Sequence, residues 1–280
     1  MDRQTEITTP GALLNEKGDL ARPGFSRALV QEYRRADVKV SPLRIKEWDY
    51  YLVNNGKFAL ALTVADNGYM GLDSVSLLDL EEGWEITKSP MSFLPLGKKH
   101  LPETNVTGDV HSAARGYGIH FIHEGEKRVL IAYMNKFGES ALSARVELTE
   151  CPEDSLVIAT PFDKPGHFYY NQKIVGFRAS GYVNYNGKTY TFEPSDSFAV
   201  LDWGRGVWTY ENTWYWSSAA YVLPSGTPFG WNLGYGFGDT SAASENMLFH
   251  AGTAHKLGGI KFEIPGEAEG KERYTEPWKF

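Results

Sequence analysis

The chain has 280 residues, of which 42% are hydrophobic, enough for one large or two ordinary cores and too apolar for disorder. Its formal net charge of -7, with 22% charged residues, leaves no overall field to hold a polyanion, so nucleic acid is not an expected partner. No apolar run approaches the roughly 18 residues that span a bilayer, and the opening MDRQTEITTP lacks the apolar stretch of a secretory leader. A membrane span is therefore not expected. The single cysteine, Cys151, cannot form an internal disulfide, which suits a reducing, cytoplasmic location and makes Asn105-Val106-Thr107 an accidental glycosylation sequon.

The 8 Trp, 16 Tyr and 15 Phe, set among 29 Gly, favour β structure. Aromatic rings fit a pleated surface, and glycines serve turns and close approaches. Residues 1–42 read as an N-terminal arm, polar from Leu13 to Arg22 and closed by Pro23-Gly24. Within it SRALVQEYRR has the spacing of a short helix. From Leu43 onward strands and turns alternate: RIKEWDYYLV, Asn54-Asn55-Gly56-Lys57, then FALALTVAD closed by Asn67-Gly68. Asn-Gly between apolar runs is a hairpin signal, because both residues tolerate positive φ. YGIHFIHE and RVLIAYMN form a second pair about Gly125, and GYVNYN and KTYTFEP a third about Gly187. Only SAASENMLF offers another turn or two of helix. Strands every 8 to 12 residues with almost no helices between them must pair antiparallel. The polar break Cys151-Pro152-Glu153-Asp154 divides a first β domain, 43–155, from a second, 156–280.

The second half is richest in chemistry. AVLDWGRGVWTYENTWYWSSAA carries Trp203, Trp208, Trp214 and Trp216. Each buried aromatic side chain removes about 150 to 250 Å² from water, so leaving four in solvent is unfavourable by many kcal/mol. In WNLGYGFGD, Trp231, Leu233, Tyr235 and Phe237 alternate with Asn232, Gly234, Gly236 and Gly238, giving one bulky and one nearly bare face. The bare face receives either a neighbouring aromatic ring or a ligand. Asp202, Arg205, Glu211 and Asn212 lie among the tryptophans, with Asp239, Glu245 and Asn246 after the glycine strand, and His167, Tyr169, Asn171 and Lys173 before them in GHFYYNQK. Charges beside indoles must pair. Asp202 with Arg205 is either a structural pair, or Arg205 holds a polar ligand group while Asp202 or Glu211 moves a proton.

Other motifs fail on spacing. Gly234 to Gly238 lacks the Lys-Ser/Thr and the helix of a phosphate loop. His120 and His123 point to opposite faces of a strand, so no metal site is expected. There is no Gly-x-Ser-x-Gly elbow, and Cys151 has no adjacent histidine.

The string LDWGRGVW, preceded by FYYNQK and followed by NTWYWSSA and NLGYGFGDTSAASENMLFHAGTAHKL, resembles domain-of-unknown-function family 2804 from Leu13-Leu14 to the C-terminus. That family is remotely similar to the carotenoid hydratase, AttH-like and tocopherol cyclase proteins, which act on hydrophobic polyenes or prenyl compounds. The resemblance implies an all-β fold of two lipocalin-like antiparallel barrels or strongly bent sheets packed together, with few short helices. It supplies no catalytic residues. Family members continue beyond the equivalent of Pro277-Trp278-Lys279-Phe280, so the second barrel is expected to lack closing strands and to leave an edge.

Three functions fit this sequence. The first is a lipocalin-like protein holding a small hydrophobic molecule in an aromatic-lined pocket, with Asp202, Arg205 and Glu211 as catalytic groups for proton-driven hydration, isomerisation or cyclisation. Its ligand-binding set is His167, Tyr169, Asn171, Trp203, Trp208, Trp214, Trp216, Asn232, Asp239 and Glu245, and no cofactor is expected. The second is a carbohydrate-active protein using tryptophan platforms beside paired carboxylates. The third is a β scaffold without catalysis, in which each polar group is a satisfied core residue.

Overall fold

The computed structural model describes residues 4–280, so the first three residues of the expected arm lie outside the described residues. Three short strands come from the arm: β1 (Gly11–Ala12), β2 (Gly24–Ser26) and β3 (Gln31–Glu32). A meander follows, with β4 (Lys46–Asn54), β5 (Phe58–Asp66), β6 (Met70–Asp79) and β7 (Trp84–Lys88), after which β8 (Met91–Phe93) returns to pair with β6. A second meander comprises β9 (Val110–Ala114), β10 (Tyr117–Glu124), β11 (Lys127–Phe137) and β12 (Ser140–Thr149). Next come β13 (Leu156–Pro161), the long β14 (Phe168–Tyr185), β15 (Lys188–Phe192) and β16 (Phe198–Val207). The last four strands are β17 (Tyr215–Val222), β18 (Pro228–Tyr235), β19 (Met247–His250) and β20 (Thr253–Lys256).

The fold is all-β. Among the described residues helical backbone is confined to three 3-10 turns, and the ladders are antiparallel except for β1 with β3. The two segments with helical spacing are not helices. SRALVQEYRR supplies the end of β2 and all of β3, because Val157 and Ile158 on β13 offer a ladder to Ser26 and Phe25. In SAASENMLF the last three residues enter β19 and pair with β18. A helix this short is marginal in water, and a waiting strand edge outcompetes it.

The expected hairpins form about Gly56, Gly68, Gly125 and Gly187. Gly56 and Gly187 take φ of +80° and +75°, a conformation that side chains disfavour.

The large sheet runs β7-β6-β5-β4-β16-β14-β12-β11-β10-β9, and a separate small sheet runs β17-β18-β19-β20. The break at Cys151 falls between β12 and β13, and the sheet continues across it. β14 and β16 pair with β12 and β4, so strands on both sides of residue 155 share one sheet. β14 makes this possible by bending at Gly176, where the register shifts, so that its first half pairs with β16 and its second with β12.

The large sheet curls around one core. Leu60, Leu62 and Val75 from the first meander meet Ile119, Phe121 and Leu130 from the second, with Trp203 and Tyr170 between them. Leu13, Leu14 and Tyr33 of the arm belong to this core, so the arm is packed structure. A second cluster, with Val175, Val200, Ala220 and Phe249, joins the outer face of the large sheet to the small one. Residues beyond β20 lay Phe262, Ile264 and Trp278 against Leu233, Trp231 and Tyr235 on the far side of the small sheet.

Candidate functional site

Alternation along β16 decides which residues can meet. Leu201, Trp203 and Val207 join the inner core, whereas Asp202 and Gly204 face outward. The neighbours in register are Tyr50 opposite Asp202 and Trp48 opposite Gly204 on β4, with Lys173 and Asn171 opposite them on β14. Trp48 lies flat over Gly204, where an added Cβ would stand 2.0 Å from its Cζ2. The glycine of DWGRG is thus the space that the indole fills. Trp48 also stacks on Tyr169, with ring centroids 5.8 Å apart, and meets Trp208 edge-on at 5.3 Å.

Between this outer face and the small sheet lies a cavity of about 390 Å³. The large sheet contributes Trp48, Thr63, Ala65 and Leu72, and the opposite wall is Trp208, Trp214, Trp216 and Phe237. Its polar groups are Tyr169, Lys173, Asp202 and Glu245, with Asn67 at the turn between β5 and β6. Phe237 ties the wall together, with centroids 4.7 Å from Tyr169, 5.5 Å from Trp208 and 5.0 Å from Trp214. Trp216 is oriented by its Nε1, which donates to Asn232 Oδ1 at 2.7 Å, while Asn232 Nδ2 donates to the Glu245 carbonyl.

Asp202 is fully engaged. Its Oδ2 is 2.6 Å from Lys173 Nζ, and its Oδ1 accepts from Asn171 Nδ2 at 2.7 Å and Trp48 Nε1 at 3.2 Å. Lys173 Nζ in turn sits 4.9 Å from the Trp216 ring centroid, a cation facing an indole. Asn171 is fully buried, and its Oδ1 has no hydrogen-bond partner.

Glu245 differs from Asp202. Its carboxyl group faces the Tyr169 hydroxyl and the Asn232 amide, and Gly234 leaves room for it, since a Cβ there would be 3.1 Å from Oε2. Burial raises the Glu245 pKa above the ordinary carboxylate value; the Lys173 charge opposes the rise and the Asp202 charge adds to it. Burial likewise holds the Tyr169 phenol well above its normal range, with Glu245 next in effect. Tyr50, half-buried beside Asp202, is pushed up to about 12, first by desolvation and then by the Asp202 charge. The cavity thus has a fixed ion pair, Lys173–Asp202, next to two oxygen acids, Glu245 and Tyr169, whose pKa values burial raises.

Of the residues expected at a site, Asp202, Tyr169, Trp208, Trp214, Trp216 and Glu245 line this cavity, with Asn171 and Asn232 directly behind them. Trp203 and Arg205 do not. Both are completely buried on the opposite face of β16, where Arg205 is 2.9 Å from Asp49 Oδ1 and donates to the carbonyls of Trp48, Gly204 and Pro102. The expected Asp202–Arg205 pair is absent, because residues three apart on a strand point to opposite faces. Glu211 and Asp239 are exposed in turns, where Asp239 Oδ1 accepts from the Ser241 amide. His167 is buried at the entry to β14 with its Nδ1 3.0 Å from the Pro165 carbonyl. Trp48, Phe237 and Lys173 complete the site. Lys173 shares the period-two face of Tyr169 and Asn171 in the sequence, whereas Trp48 comes from a strand paired across more than 150 residues and had no local signal.

Among solved structures, kievitone hydratase from Nectria haematococca is similar with a TM-score of 0.41 and 10% identity, covering 78% of this chain and 65% of that one. An AttH-type protein from Nitrosomonas europaea gives 0.39 and 14%, covering 80% and 71%, and CghA gives 0.41 and 11%, covering 88% and 68%. The chain therefore spans just under two thirds of kievitone hydratase, and the likeness is one of β architecture alone. No curated protein matches the sequence significantly. The family model described as domain of unknown function (DUF2804) matches residues 4–280, and the chain belongs to that family.

Proposed function

We propose that the cavity between the two sheets binds a small, largely apolar molecule and that Glu245 passes it a proton. What supports the reading is one combination: an aromatic-walled space of about 390 Å³ with a carboxylic acid inside it whose pKa burial raises above the ordinary carboxylate value. A flat or chain-like hydrocarbon fits between Trp48 and Trp216. Protonation of a double bond by Glu245 creates a carbocation that the indole faces stabilise; the Glu245 carboxylate then takes a proton from a neighbouring carbon for isomerisation, or water adds its oxygen to the cation and passes its proton to that carboxylate for hydration. Lys173 and Asp202 supply a fixed dipole for a polar end group. The carboxylate-pair mechanism for sugars loses support, because Glu211 and Asp239 lie outside the cavity and Asp202 is already bound by three donors.

The test is a fluorescence titration with N-phenylnaphthylamine, an apolar aromatic probe. Wild type is expected to bind it at one site, with energy transfer from tryptophan. Thr63→Phe, which fills the cavity from β5, is expected to weaken binding at least about tenfold while leaving the melting temperature nearly unchanged, since half-buried β positions tolerate Phe. Equal binding by both proteins would refute the reading.

A further inference from the structure

The rim of the cavity has a property that ligand binding does not require. Phe93 and Met91 of β8 are 87% and 62% exposed, and Leu43, Tyr69, Leu94 and Tyr210 are also open to solvent. These residues come from four separate segments but form one continuous surface. The backbone of Gly68 packs on Pro42 and Leu43. The Leu94 amide donates to the Tyr69 carbonyl at 3.0 Å. Arg44 stands 4.2 Å over the Tyr210 ring and donates to the Trp208 carbonyl. The same segments border the cavity: Asn67 and Leu72 flank Tyr69, Met91 pairs with Leu72, and Trp208 and Trp214 flank Tyr210.

The charge of this surface runs against that of the molecule. The whole chain carries a net charge of -7, yet residues 41–46, 67–70 and 91–100 contain no Asp or Glu and include Arg44, Lys46, Lys98 and Lys99. Lys99 is neutralised by Asp73 and Lys46 is buried beside Asp66, so the accessible charges are Arg44 and Lys98 against Glu211 of the fourth segment, which leaves the rim weakly positive. Arg44 lies over the exposed Tyr210 ring, a pairing of cation and amphipathic aromatic suited to the headgroup layer, while the buried Lys46 holds the Tyr69 ring from beneath. Exposed aliphatic and phenyl groups ringed by tyrosines and bases match an anionic bilayer, which takes apolar side chains a few ångströms deep and holds the bases at its surface. Exposed apolar area on this scale marks an interaction site.

We infer that the loops around Leu43, Tyr69 and Phe93 dock this protein peripherally on an anionic lipid surface, with the cavity mouth facing the bilayer. A ligand too apolar to cross water then has a direct route from the acyl layer to Trp214 and the cavity, a step that rests on the proposed function. The docking itself does not.

Cosedimentation with vesicles tests it. The full chain is expected to pellet with equimolar phosphatidylcholine and phosphatidylserine and far less with phosphatidylcholine alone. Phe93→Asp combined with Leu94→Asp is expected to cut the bound fraction at least about tenfold with the melting temperature unchanged. Wild type that stays in solution with both vesicles overturns the inference, as does a double variant that binds like wild type. A wild-type dimer that the double substitution converts to monomer would assign the surface to a second copy instead, and also overturns it. Vesicle binding lost while N-phenylnaphthylamine binding persists in vesicle-free solution supports docking. Probe binding absent from a wild type that still pellets would strike the cavity reading alone.

Discussion

Asp202 and Arg205 stand three residues apart on β16, and their surroundings separate structure from chemistry. On the inner face Arg205 is completely buried, with Asp49 and three carbonyls arranged about its guanidinium, while Asp49 is itself buried. On the outer face Asp202 holds Lys173 at a similar distance, but beside an open space lined by indoles. A closed ion pair can only hold a strand in place. A pair with a cavity next to it can orient something else, for which the proposed function makes the neighbouring Glu245 the proton source. An ion pair in a β protein therefore becomes a functional candidate through what lies beside it, and its burial alone says little.

The largest effect is expected where the inner pair is broken. Asp49→Ala removes the one carboxylate that hydrogen-bonds the fully buried Arg205 guanidinium, leaving only the more distant Glu47, and should cost about 3 to 5 kcal/mol in urea unfolding. A loss below about 1 kcal/mol would mean that the inner face is wetter than its packing indicates. Gly204→Ala is intermediate. Its methyl group collides with the Trp48 ring, so overpacking of about 1 to 3 kcal/mol should appear together with weaker probe binding, because the displaced indole enters the cavity. Lost stability with unaltered probe affinity would separate Trp48 from the site. The smallest effect is expected from Glu245→Gln and shows only in its pH dependence. The folded protein holds the Glu245 proton more tightly than the unfolded chain, so wild type loses stability as pH rises from about the ordinary value of 4.5 toward the raised one. The glutamine variant should lack that decline and be the more stable protein at neutral pH. Parallel melting curves against pH for the two proteins would show that Glu245 ionises normally.

Much of this arrangement is readable in the sequence. Asn-Gly turns, period-two strands and the scarcity of helical spacing give the hairpins and the all-β fold, because those signals act over a few residues. The tryptophans of residues 208–216 line the cavity, but Trp208 and Trp216 are only half-buried and Trp214 is 53% exposed, so their cost in water is only partly relieved. Pairing Asp202 with Arg205 failed on a rule the sequence already contained, since an odd separation on a strand places side chains on opposite faces. Glu211 looked catalytic from its aromatic neighbours but lies in a turn whose Asn212 side chain bonds back to Thr209. Trp48 could not be found locally, because the β4–β16 register that lays it on Gly204 is set by the curl of the whole sheet.

The most direct measurement is a crystal structure with bromonaphthalene bound, located by the anomalous signal of bromine. Bromine is expected between Trp48 and Trp216, within reach of Glu245. Bromine against Trp203 in the inner core, or only on the outer surface, would contradict it.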